Sequence, residues 1–522
     1  GAFAALRADG SVVTWGSDSY GGNSSAVAAQ MDGTVDVVQI FSTQYAFAAL
    51  RADGLVLTWG SNGYGGNSTS VSSQLTNVVS MANPYTNDVY KAVVPINGTT
   101  SNDPALMGTA SDDEIYGLAG NDTIDGAGGN DTMFGGLGND LFRVRQAGDI
   151  VTENLSEGTD IAYSYLSAYT LTANVENGLI LAAGAANLTG NSLNNILYAS
   201  SGNNLLTGGG GSDTVSYLYG VTGTTGVTVG LVAGAQTTVG SGSDTLSGIV
   251  NLTGSNNRDH LTGSILANVL NGGGGIDTME GGLGNDTYYL DSASDQVVES
   301  TTAALLGGND TVILGSAITS YTLGTNVDNG RITSTDAANL TGNSLNNVLY
   351  AGSGNNVING GAGVDTLSYA YASGPSGVTV SLALAPAQAT VGSGTDTIVA
   401  IENLTGSSYA DTLTGNSGTN VINGGIGNDT IDGGSGSDTA VFSGSSTGYR
   451  VDFLGGKLTV TDTDLTNGNY GTDSLTSIER LSFSDKTIST SETLKAIDIF
   501  KAHGGENLGL VGTLANFSKA AY

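Results

Sequence analysis

The 522-residue sequence has no cysteine, two histidines, two tryptophans and five prolines. Without cysteine there can be no disulfide and no thiolate metal site, and zero cysteine fits a bacterial extracellular protein. So little proline beside 82 glycines argues against both a collagen repeat and a Pro-rich disordered chain. Two histidines and no HExxH exclude a zinc protease. Basic residues are also scarce. Fourteen Lys and Arg face 47 Asp and Glu, giving a net charge of −33, and between 101 and 442 there are four arginines and no lysine. Such a surface repels nucleic acid and anionic membranes and draws cations. No apolar run approaches the roughly 18 residues needed to cross a bilayer, so no transmembrane segment is expected. GAFAALRADG, at the start, has no basic n-region, no apolar h-region and no initiator methionine, which implies that the numbering begins inside a longer chain.

What the sequence has in abundance is repetition, of three kinds. AFAALRADG, TWGS and YGGNS at 2–10, 14–17 and 20–24 return at 46–54, 58–61 and 64–68, an offset of 44. Their alternating apolar residues predict short strands joined by an Asp-Gly turn. Pro84, Pro95 and Pro104 then mark a linker over 83–104. A nine-residue beat follows at 108–143, 190–216, 254–290, 342–368 and 406–442. Finally, LTGNSLNN, NLTGS and the GG-rich runs at 188–195, 251–255 and 272–287 recur at 340–347, 403–407 and 424–439, an offset of 152. The expected domains are therefore 1–82 (two 44-residue β units), 83–104 (linker), 105–152 (first nine-residue run), 153–300 and 301–450 (two tandem copies) and 451–522 (a β cap and tail). ETLKAIDIFKAH in the tail reads as a short amphipathic helix.

The beat is G-G-x-G-x-D-x-U-x, with U apolar, and GGLGNDLFR (135–143) fits it fully. The last three residues predict a very short strand whose one apolar side chain, such as Ile124, Met133 or Phe142, points inward. The first six predict a turn. Glycine permits positive φ and lets carbonyls converge where a Cβ would obstruct them; the expected glycines are Gly117, Gly126, Gly135, Gly272, Gly281, Gly424 and Gly433. Aspartate adds a charged oxygen, and hard oxygen ligands in number suit Ca²⁺ better than Mg²⁺. The expected ligands are Asp113, Asp122, Asp131, Asp140, Asp213, Asp259, Asp277, Asp286, Asp365, Asp411, Asp429 and Asp438.

Two nonapeptides make one coil, so residues 18 apart stack about 4.8 Å apart. Stacked carboxylates at that spacing repel unless a cation lies between them. The predicted pairs are Asp113/Asp131, Asp122/Asp140, Asp259/Asp277 and Asp411/Asp429. Asn/Asp rungs (Asn195/Asp213, Asn268/Asp286, Asn347/Asp365, Asn420/Asp438) should hold calcium more weakly, and Asn/Asn rungs could do without metal, since stacked amides bond one another; Asn204 and Asn356, in different copies, also carry rungs. A metal-free β-solenoid with Gly-Asn-Asp turns is the alternative. The expected fold is all-β: parallel β-roll or β-solenoid segments in tandem with β spacers, behind a small β repeat unit.

GAGGNDTMFGGLGNDLF and GGIGNDTIDGGSGSDT resemble the repeats-in-toxin (RTX), or hemolysin-type calcium-binding, family over about 105–490. The 44-residue unit resembles repeats of the regulator-of-chromosome-condensation propeller family. The RTX resemblance implies several bound Ca²⁺ ions, export through the type I secretion machinery with a C-terminal signal, here 491–522, and folding outside the cell. It implies an extracellular or bacterial cell-surface location, with self-association or cell-surface glycans as candidate partners. No enzyme is expected. GSSTG (444–448) matches the serine-hydrolase elbow only formally, lying in a Gly/Ser turn with neither histidine placed to serve it, and His260 reads as an exposed turn residue. Two roles remain: an extracellular structural protein (surface-layer, filament or adhesin component), or the calcium-folding and secretion region of a larger enzyme or toxin whose catalytic domain lies upstream.

Overall fold

The computed structural model describes residues 1–78 and 95–492, apart from 222, 233, 239, 300–307, 373, 375, 385–386, 455–456, 465 and 467–469. Helical structure among these residues is confined to single turns. The predicted helix ETLKAIDIFKAH lies, beyond Glu492, outside the described residues.

The nine-residue beat folds as its period requires. Ile124 stacks in parallel on Phe142, and Ile115 on Met133, each 18 residues apart. Each three-residue strand buries its middle side chain: Ile115, Ile124, Met133 and Phe142 have no exposed surface, nor have Leu270, Met279, Ile422 and Ile431 in the later runs. A fully buried side chain of this size contributes about 1.5–3 kcal/mol. Stacking these single files turns a thin coil into one continuous core.

One parallel sheet runs unbroken from Leu106–Met107 to Arg480–Ser482 and ends on the antiparallel strand Thr487–Ser489, nineteen strands in all among the described residues. The opposite side is divided into five sheets, because the spacers leave the stack there. In GVTVGLVAGAQTTVGSGSDTLSGI, Ala235–Thr237 folds back antiparallel on Ser243–Ser247, while Thr228–Gly230 starts the next sheet beneath His260–Thr262. The second copy repeats this with Gln388–Ala389 on Thr395–Val399 and Thr379–Ser381 on Thr412–Thr414.

Of the segment 83–104, the described part begins at Pro95. Ile96–Asn97 pairs with Ile115 and Tyr116, so these residues already belong to the first coil. In the N-terminal unit, Ala2–Leu6 pairs with Val12–Gly16 and Ala46–Arg51 with Val56–Gly60. Each hairpin turns at the expected Asp-Gly, where Gly10 (φ 71°) and Gly54 (φ 76°) are left-handed. At the other end, Tyr449–Leu454 and Lys457–Asp462 form a hairpin laid on Thr472–Thr476.

Candidate metal centre

Every rung pair set by the 18-residue period is joined in the structure. The Oδ1 of each upper aspartate accepts the backbone N–H of the residue one coil below. The distances are 2.9 Å for Asp113 to Asp131, 2.7 Å for Asp122 to Asp140, and 2.8 Å for both Asp259 to Asp277 and Asp411 to Asp429. Asn195, Asn268, Asn347 and Asn420 donate in the same way to Asp213, Asp286, Asp365 and Asp438. The carboxylate column is therefore fixed by the main chain.

The second carboxylate oxygen divides the twelve aspartates into two groups. In Asp122, Asp131, Asp140, Asp213, Asp277, Asp286, Asp365, Asp429 and Asp438, Oδ2 is buried and no donor reaches it. In Asp113, Asp259 and Asp411, Oδ2 accepts from the backbone N–H and the hydroxyl four residues earlier: Thr109, Ser255 and Ser407. For Ser407 the hydroxyl goes to Oδ1 instead.

Two backbone angles separate the groups: two residues before each of the nine stands a left-handed glycine (Gly120, Gly129, Gly138, Gly211, Gly275, Gly284, Gly363, Gly427 and Gly436), while Ser111, Asn257 and Tyr409 are not left-handed. The residue four positions before each of the nine is left-handed: Leu118 (φ 80°), Ala127 (66°), Gly136 (92°), Gly209 (100°), Gly273 (83°), Gly282 (104°), Gly361 (94°), Gly425 (95°) and Gly434 (89°). Thr109, Ser255 and Ser407 are not. The left-handed turn directs its N–H away from the carboxylate; the ordinary turn closes on it.

This corrects the expectation for glycine. The seven first-position glycines are not left-handed. They are required for room. A Cβ on Gly117 would lie 2.6 Å from Asp122 Oδ2 and one on Gly433 2.7 Å from Asp438 Oδ2, while at Gly126, Gly135, Gly272, Gly281 and Gly424 it would overlap the turn's own Oδ2. The space above each first glycine is thus the space into which the donorless oxygen points. Positive φ belongs to the second and fourth positions, and at the second Leu118 and Ala127 show that it is adopted even at the roughly 1–2 kcal/mol that a side chain pays there.

The asparagine rungs take main-chain partners. Their amides do not bond one another. Asn195 Nδ2 donates to the Val175 and Glu176 carbonyls, Asn347 Nδ2 to those of Val327 and Asp328, and Asn268 and Asn420 to those of Val250 and Glu402. Asn204 and Asn356 donate to Ala186 and Ala338. A side-chain N–H thereby satisfies carbonyls of the neighbouring coil.

Burial raises the affinity of these carboxylates for protons. It pushes Asp131, Asp140, Asp286 and Asp429 up to about 6 and Asp277 to about 7, and lifts Asp122, Asp213, Asp365 and Asp438 above the usual range. For Asp131, Asp140 and Asp277 the neighbouring carboxylates add to the effect. A buried charge needs a partner of opposite sign, and none of the four arginines reaches these nine. The donorless oxygens, the glycine cradles and the all-oxygen donor set fit a hard divalent cation.

Several residues in the columns do not follow the nine-residue beat. The backbone N–H of Asp140 donates to Oδ1 of Asp160, that of Asp286 to Asp310, of Asn204 to Asp244, of Asn356 to Asp396 and of Asp429 to Asp473. Each of these carboxylates belongs to a spacer that re-enters the stack. They share one signal: a glycine two residues earlier, in GTD (158–160), GSD (242–244), GND (308–310), GTD (394–396) and GTD (471–473).

The GSSTG serine is structural. Ser446 is fully buried; its hydroxyl donates to Asp485 Oδ2 at 2.7 Å and its N–H to Oδ1 at 2.6 Å. His260 lies on the surface, 3.2 Å from Glu280. No helix among the described residues is long and apolar enough to cross a membrane.

Comparison with protein families gives a match to the model described as RTX calcium-binding nonapeptide repeat (4 copies), over residues 107–142, 189–217, 262–297, 341–369 and 405–440. No curated protein matches the chain. The matched segments are the stacked turns described above: they are RTX calcium-binding nonapeptide repeats, and they bind Ca²⁺ at several sites.

Proposed function

We propose that the chain is an extracellular calcium-stiffened structural protein, a surface-layer, filament or adhesin component. It leaves the cell through a type I pathway and folds on meeting calcium outside. The observation that carries this reading is the set of nine buried carboxylate oxygens without a donor, one in each left-handed turn. They are the calcium ligands, helped by carbonyls of the glycine-rich turns. Asp113, Asp259 and Asp411, whose Oδ2 is held locally, start the columns. The regular carboxylates are all employed in stacking and the elbow serine is buried against Asp485, so no hydrolytic centre is proposed.

Calorimetric calcium titration tests the ligand set. Asp122→Ala and Asp140→Ala should each weaken calcium binding in the first run. The double variant should lose less than the sum of the two, because one stacked site cannot be lost twice. Asn204→Ala/Asn356→Ala, which removes no charge, should leave the stoichiometry unchanged. Additive aspartate losses, or an equal loss in the asparagine variant, would refute the pairing.

A further inference from the structure

Glu153 lies outside the nine-residue beat, yet its side chain ends inside the carboxylate column. Its strand, Ile150–Thr152, stacks on Thr132–Phe134, with Phe134 opposite Thr152. The next pair is Gly135 and Glu153, so a glutamate stands where each nonapeptide has its first glycine. Its carboxylate folds back over Gly135: a Cβ built there would overlap both Glu153 Oε1 and Asp140 Oδ2. Asp160, from the re-entering GTD, completes the group, and oxygens of Asp140, Glu153 and Asp160 lie within 4.8 Å of one another.

Glu153 is 5% exposed, and no hydrogen bond reaches either of its carboxylate oxygens. The Gly136 N–H faces it without closing one, and the nearest charges are the carboxylates of Asp160 and Asp140. Three buried carboxylates with no counter-charge are strongly unfavourable. Three oxygens this close can share one ion at the Ca–O distance of about 2.3–2.6 Å.

The constellation is built twice. Gln296–Val298 stacks on Thr278–Glu280, which places Glu299 on Gly281. Oxygens of Asp286, Glu299 and Asp310 again lie within 4.8 Å of one another, all three residues buried. Tyr288 stands where the first group has Phe142, and its hydroxyl donates to Glu299. The remaining columns end otherwise. Above Gly208, Gly360 and Gly433 come Gly248, Ala400 and Ser477, left-handed at φ 64°, 48° and 52° and without a carboxylate.

We propose that Glu153 and Glu299 are calcium ligands, each closing a three-carboxylate site with Asp140 and Asp160 or with Asp286 and Asp310. The nonapeptide motif does not encode this site. Three carboxylates around one ion exceed the two of an interior rung, and affinity rises with ligand charge. These sites fill first and pin the coil where Asp160 and Asp310 join the columns. The inference rests on the calcium reading above.

The test is calorimetric calcium titration of the full chain as wild type, Glu153→Gln, Glu299→Gln, the double variant and Glu280→Gln, an exposed control. Each single change at Glu153 or Glu299 should remove one ion from the tightest phase, weakening it roughly tenfold or more, and the double change should remove two. Glu280→Gln should match wild type. Terbium luminescence provides a readout that leaves the glutamates in place: Tb³⁺ in the second site touches the group bonded to Tyr288, so Tyr288→Phe should cut the tyrosine-sensitised emission of the first ions bound. A tight phase unchanged in the double glutamine variant, or emission indifferent to Tyr288→Phe, overturns the three-carboxylate site while leaving the calcium reading intact. Wild-type chain that takes up no calcium overturns both.

Discussion

Calcium-free protein at pH 8 is expected to lose the parallel stack of residues 105–442 and expand, and millimolar Ca²⁺ is expected to restore it. The effect is large because the ladder carries nine buried carboxylates that no hydrogen-bond donor or arginine serves at Oδ2. The pH dependence has a definite sign. Asp131, Asp140, Asp286 and Asp429 rise to about 6 and Asp277 to about 7 in the fold, against about 3.9 in an unfolded chain. Without calcium, the folded state holds these protons more tightly. The contribution is then fully present below about pH 4 and is lost as pH rises through about 6 to 7. With calcium the ionised form is the one held, so binding releases protons and calcium affinity falls as pH drops through the same window. Far-UV circular dichroism of calcium-free protein should therefore show more β structure at pH 5 than at pH 8, and added calcium should act more strongly at pH 8. A spectrum indifferent to calcium at pH 8 would contradict the account.

The second large effect concerns a single methyl group. Gly158 opens the re-entering GTD, and a Cβ there would overlap the main-chain carbonyl of Gly138 one coil below. Backbone cannot swing aside as a side chain can, so Gly158→Ala should cost about 3 kcal/mol or more, at or beyond the upper end for overpacking. Gly128 also sits in a turn, but its nearest neighbour, the Ala110 Cα, would lie 3.7 Å from an added Cβ, and its φ is not positive. Gly128→Ala should be neutral or stabilising by about 0.4–1 kcal/mol. Chemical denaturation in saturating calcium compares the two. Equal costs would mean that stacking distance does not govern the glycine requirement.

These residues also show how much the sequence reveals. The runs are legible because each place in the nonapeptide meets one physical need, with room at Gly135, charge at Asp140 and apolar burial at Phe142. The period of 18 then dictates which aspartates stack, and all eight rung pairs are found. Two things are hidden. The first is the conformation at the second place, which the motif leaves to glycine by habit: Leu118 and Ala127 adopt the left-handed turn without being glycine, while Thr109, Ser255 and Ser407 do not adopt it, and this decides which carboxylates lack a donor. The second is the spacer re-entry. Asp160, Asp310, Asp244 and Asp473 join their columns at offsets of 20, 24, 40 and 44 residues, so no fixed period finds them, and only the short G-x-D signal marks them. Glu153 and Glu299 carry no motif. Their place follows from strand register alone. Amides of Asn/Asn rungs were expected to bond one another; the rung asparagines instead serve main-chain carbonyls, because an amide in the turn faces the backbone of the coil below.

The central claim is that the left-handed turns, and not the aspartates as such, choose where calcium sits. Anomalous diffraction from crystals of the calcium-loaded protein tests it most directly. The expected result is calcium peaks about 2.3–2.6 Å from Oδ2 of Asp122, Asp131, Asp140, Asp213, Asp277, Asp286, Asp365, Asp429 and Asp438, and none on Oδ2 of Asp113, Asp259 or Asp411. Peaks on those three, or their absence from the nine, would contradict it.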